Sequence, residues 1–172
     1  MKLQGKKVAV LVADLFEDSE FIYPYYRMQE EGASVVTVGV STEATYTGKH
    51  GVPVHADVTA DSIRAEDFDA VIIPGGYSPA HMRRSPEMVH FVKQMDGHSR
   101  VIAAICHAGW MLATADIVRG RRVTSFFSIK DDMINAGAEW LDEEVVMDRH
   151  LITSRFPGDL PAFCRTIISA MA

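Results

Sequence analysis

The chain has 172 residues, 48% hydrophobic and 23% charged, with a formal net charge of −6. That length fits one domain spanning 1–172 with a sizeable core. The acidic balance, with no basic run longer than two residues, argues against nucleic-acid or anionic-membrane binding. No stretch reaches the ~18 uninterrupted apolar residues of a membrane helix, and the segment from Met1 to Lys7 lacks the apolar region of a signal peptide. A cytosolic protein is expected. Cys106 and Cys164 lie far apart in different contexts, so a disulfide framework is not.

Taken in order, Lys7–Ala13 reads as a buried strand, followed by a turn through Phe16, Glu17 and Asp18. A helix then runs to Glu31 with an apolar face at Phe21, Ile22, Tyr25 and Met28, Pro24 in its first or second turn, and Gly32 as its stop. Ser34–Val40 gives a second strand and completes a βαβ unit. The glycine-punctuated stretch between Ser41 and Asp61 predicts a small hairpin or an excursion at the sheet edge. Asp67–Pro74 is the next strand and runs straight into Gly75-Gly76. Pro86–Met95 predicts a helix, Val101–Ile105 a strand buried on both faces, and a helix follows Cys106 to about Val118. Beyond it, Arg122–Phe126 reads as a short strand and Ile129–Ala136 as a helix stopped by Gly137. Glu144–Met147 and His150–Ser154 are two short strands paired through a turn near Asp148, and Asp159 caps a last helix that buries Phe163, Ile167 and Ile168. The alternation predicts a three-layer α/β domain with a mostly parallel sheet.

In such a sheet, sites form outside the carboxyl ends of the strands. Three features arrive there independently: Glu17 after the first strand, Gly75-Gly76 after the third, and Cys106-His107 after the fourth. Together they offer a nucleophile, a proton-handling carboxyl and backbone oxyanion donors. Cys106 stands where strand becomes helix, and the free N–H groups and dipole of a helix N-terminus lower a thiol's pKa. A lowered pKa is therefore expected. The seven histidines fall at no ligand spacing, so no metal is called for, and no motif asks for a cofactor. Cys164 reads as a packing residue, and Trp110 and Trp140 as core or interface aromatics. Arg83 and Arg84 form a solvated face or a subunit contact.

Several separate motifs carry a family resemblance. The stretch from Ala104 through Cys106-His107 to Leu112, Pro74-Gly75-Gly76, Phe16-Glu17-Asp18, Gly48-Lys49-His50-Gly51, Asp131–Gly137 and Ser154–Leu160 resemble, in order, the ThiJ/PfpI superfamily and its PfpI-type intracellular protease (general stress protein) branch. The resemblance covers nearly the whole chain. It implies a flavodoxin-like, class I glutamine-amidotransferase-like fold with Cys106 on a nucleophile elbow. It also implies Glu17 as the protonated carboxyl that hydrogen-bonds the sulfur, His107 as the paired histidine, and Gly75 and Gly76 as the oxyanion-hole backbone. Homodimers or higher homo-oligomers follow, and the activities reported across the family run from peptidase and glyoxalase to deglycase, chaperone and peroxide sensing.

One position departs from the branch. Where the protease members carry an acidic residue that orients the histidine of a neighbouring subunit, this chain has Ala80. Losing such a partner in a well-studied triad lowers the rate ~10⁴-fold. Weak or absent peptidase activity is therefore expected unless His81 or another group takes over. The leading expectation is a stress-response protein whose reactive cysteine acts on small carbonyls or on amide and glycation adducts, with a small molecule or peptide as substrate. The alternative is an oxidation-sensitive peroxide sensor or a chaperone-like protein without obligatory turnover.

Overall fold

The computed structural model describes residues 1–172. Its centre is a seven-stranded sheet built from β1 (Lys7–Leu11), β2 (Ser34–Gly39), β5 (Val58–Thr59), β6 (Ala70–Ile73), β7 (Val101–Ile105), β10 (Val145–Asp148) and β11 (Leu151–Ser154). The strands lie in the order β10-β11-β7-β6-β1-β2-β5, all parallel except β10, which runs antiparallel to β11. Strands β6 and β7 are buried along their whole length, which is why they read as unbroken apolar runs. Side chains alternate between two cores. Ala9 and Leu11 face the side covered by α2 (Ser78–Met82), α3 (Pro86–Gly97), α4 (Gly109–Thr114) and α5 (Lys130–Asn135). Val8 and Val10 face α1 (Asp18–Glu30) and α6 (Leu160–Met171). The result is the expected flavodoxin-like α/β sandwich with a mostly parallel sheet.

From β1 the chain moves outward to β2, then returns to the other side of β1 as β6 and β7. The carboxyl ends of β1, β6 and β7 thus flank a topological switch point, where the loops diverge and leave a crevice. Two excursions leave the main sheet. β3 (Thr45–Thr47) and β4 (Pro53–His55) form the expected hairpin, and β8 (Arg122–Val123) pairs with β9 (Glu139–Trp140) in a separate ribbon.

Some expectations shift. The helix after Cys106 ends at Thr114 rather than near Val118, and α2 had no clear periodic signal in its five residues. Pro24 lies in the second turn of α1, as expected, at its seventh residue, and the hydrogen bond it forgoes is the one to the Glu20 carbonyl. Asp159 precedes α6 but does not cap it by hydrogen bonding. Its carboxylate is occupied by Arg155, which donates to it from Nε at 2.9 Å and Nη2 at 3.0 Å. This bidentate pair stiffens the Phe156-Pro157 loop beside the crevice.

The hairpin tip is tied down by Asp18. Its buried carboxylate accepts the backbone N–H of His50 at 2.9 Å and of Val52 at 3.0 Å, while Lys49 N–H donates to the Phe16 carbonyl at 2.9 Å. Gly48 packs so closely against Asp18 that a β-carbon there would overlap the carboxylate. Asp18→Ala should release this tip at a cost of ~1–3 kcal/mol, lowering the urea midpoint with little change in slope. It should also speed amide exchange at His50 and Val52; unchanged protection of those two amides would show that the tip is held by something else.

Candidate active site

Cys106 ends β7 with φ of +63°, a left-handed backbone rare for a residue with a side chain. That turn lifts the sulfur out of the sheet toward the crevice, as on a nucleophile elbow. The elbow is locked from two sides. Phe126 N–H donates to the Cys106 carbonyl at 3.2 Å, and the β-carbon of Cys106 packs on Gly75, where an added β-carbon would come within 2.8 Å of it. The Gly-Gly turn is in turn stitched to the exit of β1: Tyr77 N–H donates to the Leu15 carbonyl at 2.9 Å and Glu17 N–H to the Gly75 carbonyl at 3.3 Å. Gly76, at φ +71°, would place a β-carbon within 2.5 Å of Glu17 N and 2.6 Å of Leu15 O. Only glycine fits there.

These contacts gather Glu17, Glu20, Lys49, Gly76, Tyr77, Cys106, His107, Phe126, Phe156 and Pro157 around a cleft of about 310 Å³. Of the expected residues, Glu17, Gly76, Cys106 and His107 line this cleft and Gly75 packs against Cys106, but two of the expected roles fall to other groups. Glu17 precedes α1 and turns toward the hairpin tip, where its carboxylate meets Lys49 Nζ at 3.3 Å and His50 Nε2 at 3.4 Å. The carboxyl beneath the sulfur is Glu20, one turn further on and fully buried. It faces the Cys106 sulfur and the Gly75 N–H, although neither of its oxygens has a partner in full hydrogen-bonding geometry. Gly75 also differs from expectation. Its N–H is directed at Glu20, and the donors directed at the sulfur are the N–H groups of Gly76 and His107.

Burial, with the neighbouring Glu17 charge, pushes Glu20 from 4.5 up to about 9, so at neutral pH it is a carboxylic acid able to donate. Burial also pushes the Cys106 thiol up to about 12, with Glu20 adding to the rise and the Gly76 and His107 N–H groups and Lys49 opposing it. Burial thus opposes the lowering that a position at a helix end favours. A helix end contributes ~0.3–1 kcal/mol, and α4 offers only six residues behind a tight first turn, whereas removing a thiolate from water costs several kcal/mol. The repulsive contribution from Glu20 is absent whenever Glu20 holds its proton.

His107 completes the set. Its Nδ1 lies 3.3 Å from Cys106 Sγ and its Nε2 3.1 Å from Ser128 Oγ. The ring packs against Trp110 and Phe126, each with centroids 5.1 Å away. Burial and the nearby Lys49 hold His107 below the usual histidine range, leaving it neutral at pH 7. Trp110 packs behind the imidazole, and Cys164 is wholly buried in the core, as expected.

Sequence reasoning missed Glu20, Lys49 and Ser128. Glu20 had a readable signal, since Glu20, Pro24 and Met28 follow one another at helical spacing of four and form one buried stripe. Ser128 had none, because the turn that carries it is placed by the elbow.

A parallel α/β sheet with a cysteine on a left-handed elbow at a central strand end, faced by a buried acid and a histidine, defines a class of cysteine-centred flavodoxin-like proteins. Within it, residues 6–170 match the DJ-1/PfpI family, and the chain belongs to that family. It is 44% identical over 165 residues to Deglycase PH1704 of Pyrococcus horikoshii, covering 96% of this chain and 99% of that one. It is 42% identical over 163 residues to Protein/nucleic acid deglycase 2 of Escherichia coli, covering 94% and 95%. Among solved structures it matches, at a TM-score of 0.94 and 44% identity, a two-domain Anabaena variabilis protein with DJ-1/ThiJ/PfpI-like and ferritin-like domains, covering 95% of this chain and 47% of that one. No helix is long and apolar enough to cross a membrane.

The raised Glu20 pKa sets a pH dependence of stability. The carboxyl ionises near 4.5 when unfolded and near 9 when folded, so its contribution to stability is full below 4.5 and is lost progressively as pH rises toward 9. Glu20→Gln escapes that loss. The Tm of the variant relative to the unsubstituted protein should therefore climb steadily between about pH 5 and about pH 9, and a constant difference would mean that Glu20 ionises normally in the folded chain.

Proposed function

We propose that the protein is a cysteine-dependent enzyme of deglycase or glyoxalase type, acting on 2-oxoaldehydes and on the adducts they form with amines and thiols in carbonyl stress. One observation carries this reading: a thiol, a neutral imidazole and a protonated carboxyl converge on one small cleft. Hydrolytic repair of such adducts needs a nucleophile, a base for its proton and an acid for the carbonyl oxygen. The close relatives named as deglycases support the same reaction class.

The thiol is protonated at rest, so attack and deprotonation are coupled. His107 Nδ1 takes the proton from Cys106 Sγ as the sulfur adds to the aldehyde carbon. The developing oxyanion is met by the O–H of Glu20 and a backbone N–H of Gly76 or His107, groups worth most in a site that excludes water. Transfer of the aldehyde hydrogen, as a proton, to the adjacent carbonyl carbon through an enediol yields a 2-hydroxyacyl thioester. Water then cleaves it to the 2-hydroxy acid and returns the thiol. Where the aldehyde arrives as an adduct, the amine or thiol leaves with its proton restored. His107 is an imidazolium only between taking the thiol proton and giving it back, which suits a histidine with no carboxylate beside it to hold that charge. Peptide bonds, whose amine leaves only after protonation by a strong acid partner, are poor substrates for the same site.

A second reading is favoured by Glu20 alone: a protonated carboxyl beneath the sulfur can hydrogen-bond a sulfinate once peroxide has formed it. Intact mass after graded peroxide should then show Cys106 oxidised ahead of Cys164; equal rates would remove this reading.

The enzymatic proposal is tested with methylglyoxal and its hemithioacetal with N-acetylcysteine, measuring lactate released. Cys106→Ala should abolish turnover, and Glu20→Gln should lower kcat/KM by ~10²–10⁴-fold, with peptide amides cleaved little or not at all. Lactate release no faster than that of Cys106→Ala would defeat it.

A further inference from the structure

We infer that Ser128 is the positioning residue for His107, occupying the place that a carboxylate holds in a charged triad. The inference rests on the reading that Cys106 and His107 act as a pair. Cys106 Sγ, His107 Nδ1, His107 Nε2 and Ser128 Oγ form a relay, with end distances of 3.3 and 3.1 Å. His107 has no other side-chain hydrogen bond and no ion pair. Helix α2, which carries Ala80 where an acid would otherwise stand, exposes Ala80 and His81 to solvent. The hydroxyl is what the far ring nitrogen meets.

The turn carrying Ser128 is not free to wander. Phe126 N–H holds the Cys106 carbonyl, Ile129 N–H donates back to the Phe126 carbonyl at 3.2 Å, and Ile129 itself is buried against Gly109 of the elbow helix. Phe126 lies on the imidazole face. Elbow, ring and hydroxyl therefore move as one unit. Ser128 Oγ makes no other hydrogen bond, so it is available as an acceptor.

The protonation states set the direction of the relay. A thiol that keeps its proton donates S–H to Nδ1, which must then carry the lone pair. The ring hydrogen is consequently on Nε2 and is donated to Ser128 Oγ. In this tautomer His107 is ready to receive the cysteine proton. The opposite tautomer would present N–H to the sulfur and could not accept the thiol proton at Nδ1. A hydroxyl oxygen accepts the Nε2–H of this tautomer and holds the ring in place but, unlike a carboxylate, adds no negative charge, so it does not raise the basicity of the ring. Of the charged groups near the ring, Lys49 lowers its basicity further, Glu17 pairs with Lys49, Glu20 holds its proton, and Asp132 and Arg83 are engaged with Trp110.

The test reads the ring and the thiol directly, without any substrate of the proposed reaction. Nitrogen-15 NMR of His107 at neutral pH should show the Nε2–H tautomer in the unsubstituted protein and in Ser128→Thr, and a mixed population in Ser128→Ala. Alkylation of Cys106 by iodoacetamide at fixed pH should slow ~10-fold in Ser128→Ala and stay within about twofold in Ser128→Thr. In Ser128→Asp the histidine-dependent inflection of the alkylation profile should move to higher pH, since a carboxylate favours the charged ring. Ser128 is exposed, so thermal stability should hardly change. An Nδ1–H tautomer in the unsubstituted protein, or Ser128→Ala with an unaltered tautomer and alkylation profile, overturns the assignment. These outcomes are independent of lactate release, so they separate a failure of the Ser128 assignment from a failure of the deglycase reading.

Discussion

A carboxyl group buried from solvent lies beneath the sulfur of Cys106, and the rest of the site is arranged around that constraint. An ionised Glu20 there would have to be paired or neutralised, and no cation reaches it directly. Lys49 stands nearby but is engaged with Glu17. Glu20 keeps its proton instead and becomes a hydrogen-bond donor aimed at the reacting atom. The same burial denies the thiol the easy ionisation that its position at a strand–helix junction suggests. Burial is the first cause in both cases, since neither group can be charged without losing its hydration.

What holds so unfavourable an arrangement in place is the loop architecture at the sheet's switch point. The exit of β1 is stitched to the Gly75-Gly76 turn, that turn packs on the elbow, and the elbow carbonyl is bonded to the turn bearing Phe126 and Ser128. Asp18 fixes the hairpin tip over the same crevice, and the Arg155–Asp159 pair fixes the far wall. Strain at the left-handed Cys106 backbone, of order 1–2 kcal/mol, is sustained by this network rather than relieved by it. Substituting Gly76 would collide with the β1 exit and loosen every link at once.

In the reaction proposed above, no carboxylate holds the imidazolium that forms when His107 takes the thiol proton. Where a triad with a carboxylate stabilises a thiolate–imidazolium pair, a hydroxyl beyond the ring favours proton transfer in step with attack. Electrophilic carbonyl carbons tolerate such a nucleophile better than amide carbons do, because the leaving group needs less help. The Ala80 position and the Ser128 contact are two faces of one change in the polarity of the site.

Much of this was legible in the chain itself. Unbroken apolar runs at β6 and β7 marked buried parallel strands, alternation with amphipathic helices marked the three layers, and the Cys106-His107, Gly75-Gly76 and Phe16-Glu17-Asp18 motifs marked three loops converging at one sheet edge, because periodicity and turn chemistry are local properties. Tertiary structure alone decided which carboxyl meets the sulfur: Glu17 and Glu20 are one helical turn apart, and only packing of α1 on the sheet turns the second inward. It also decided the ionisation of Cys106, since desolvation depends on what surrounds the thiol from distant segments and outweighs the local helix end. And it decided the partner of His107, a serine 21 residues away along the chain, which reaches the ring only because a backbone hydrogen bond ties its turn to the elbow.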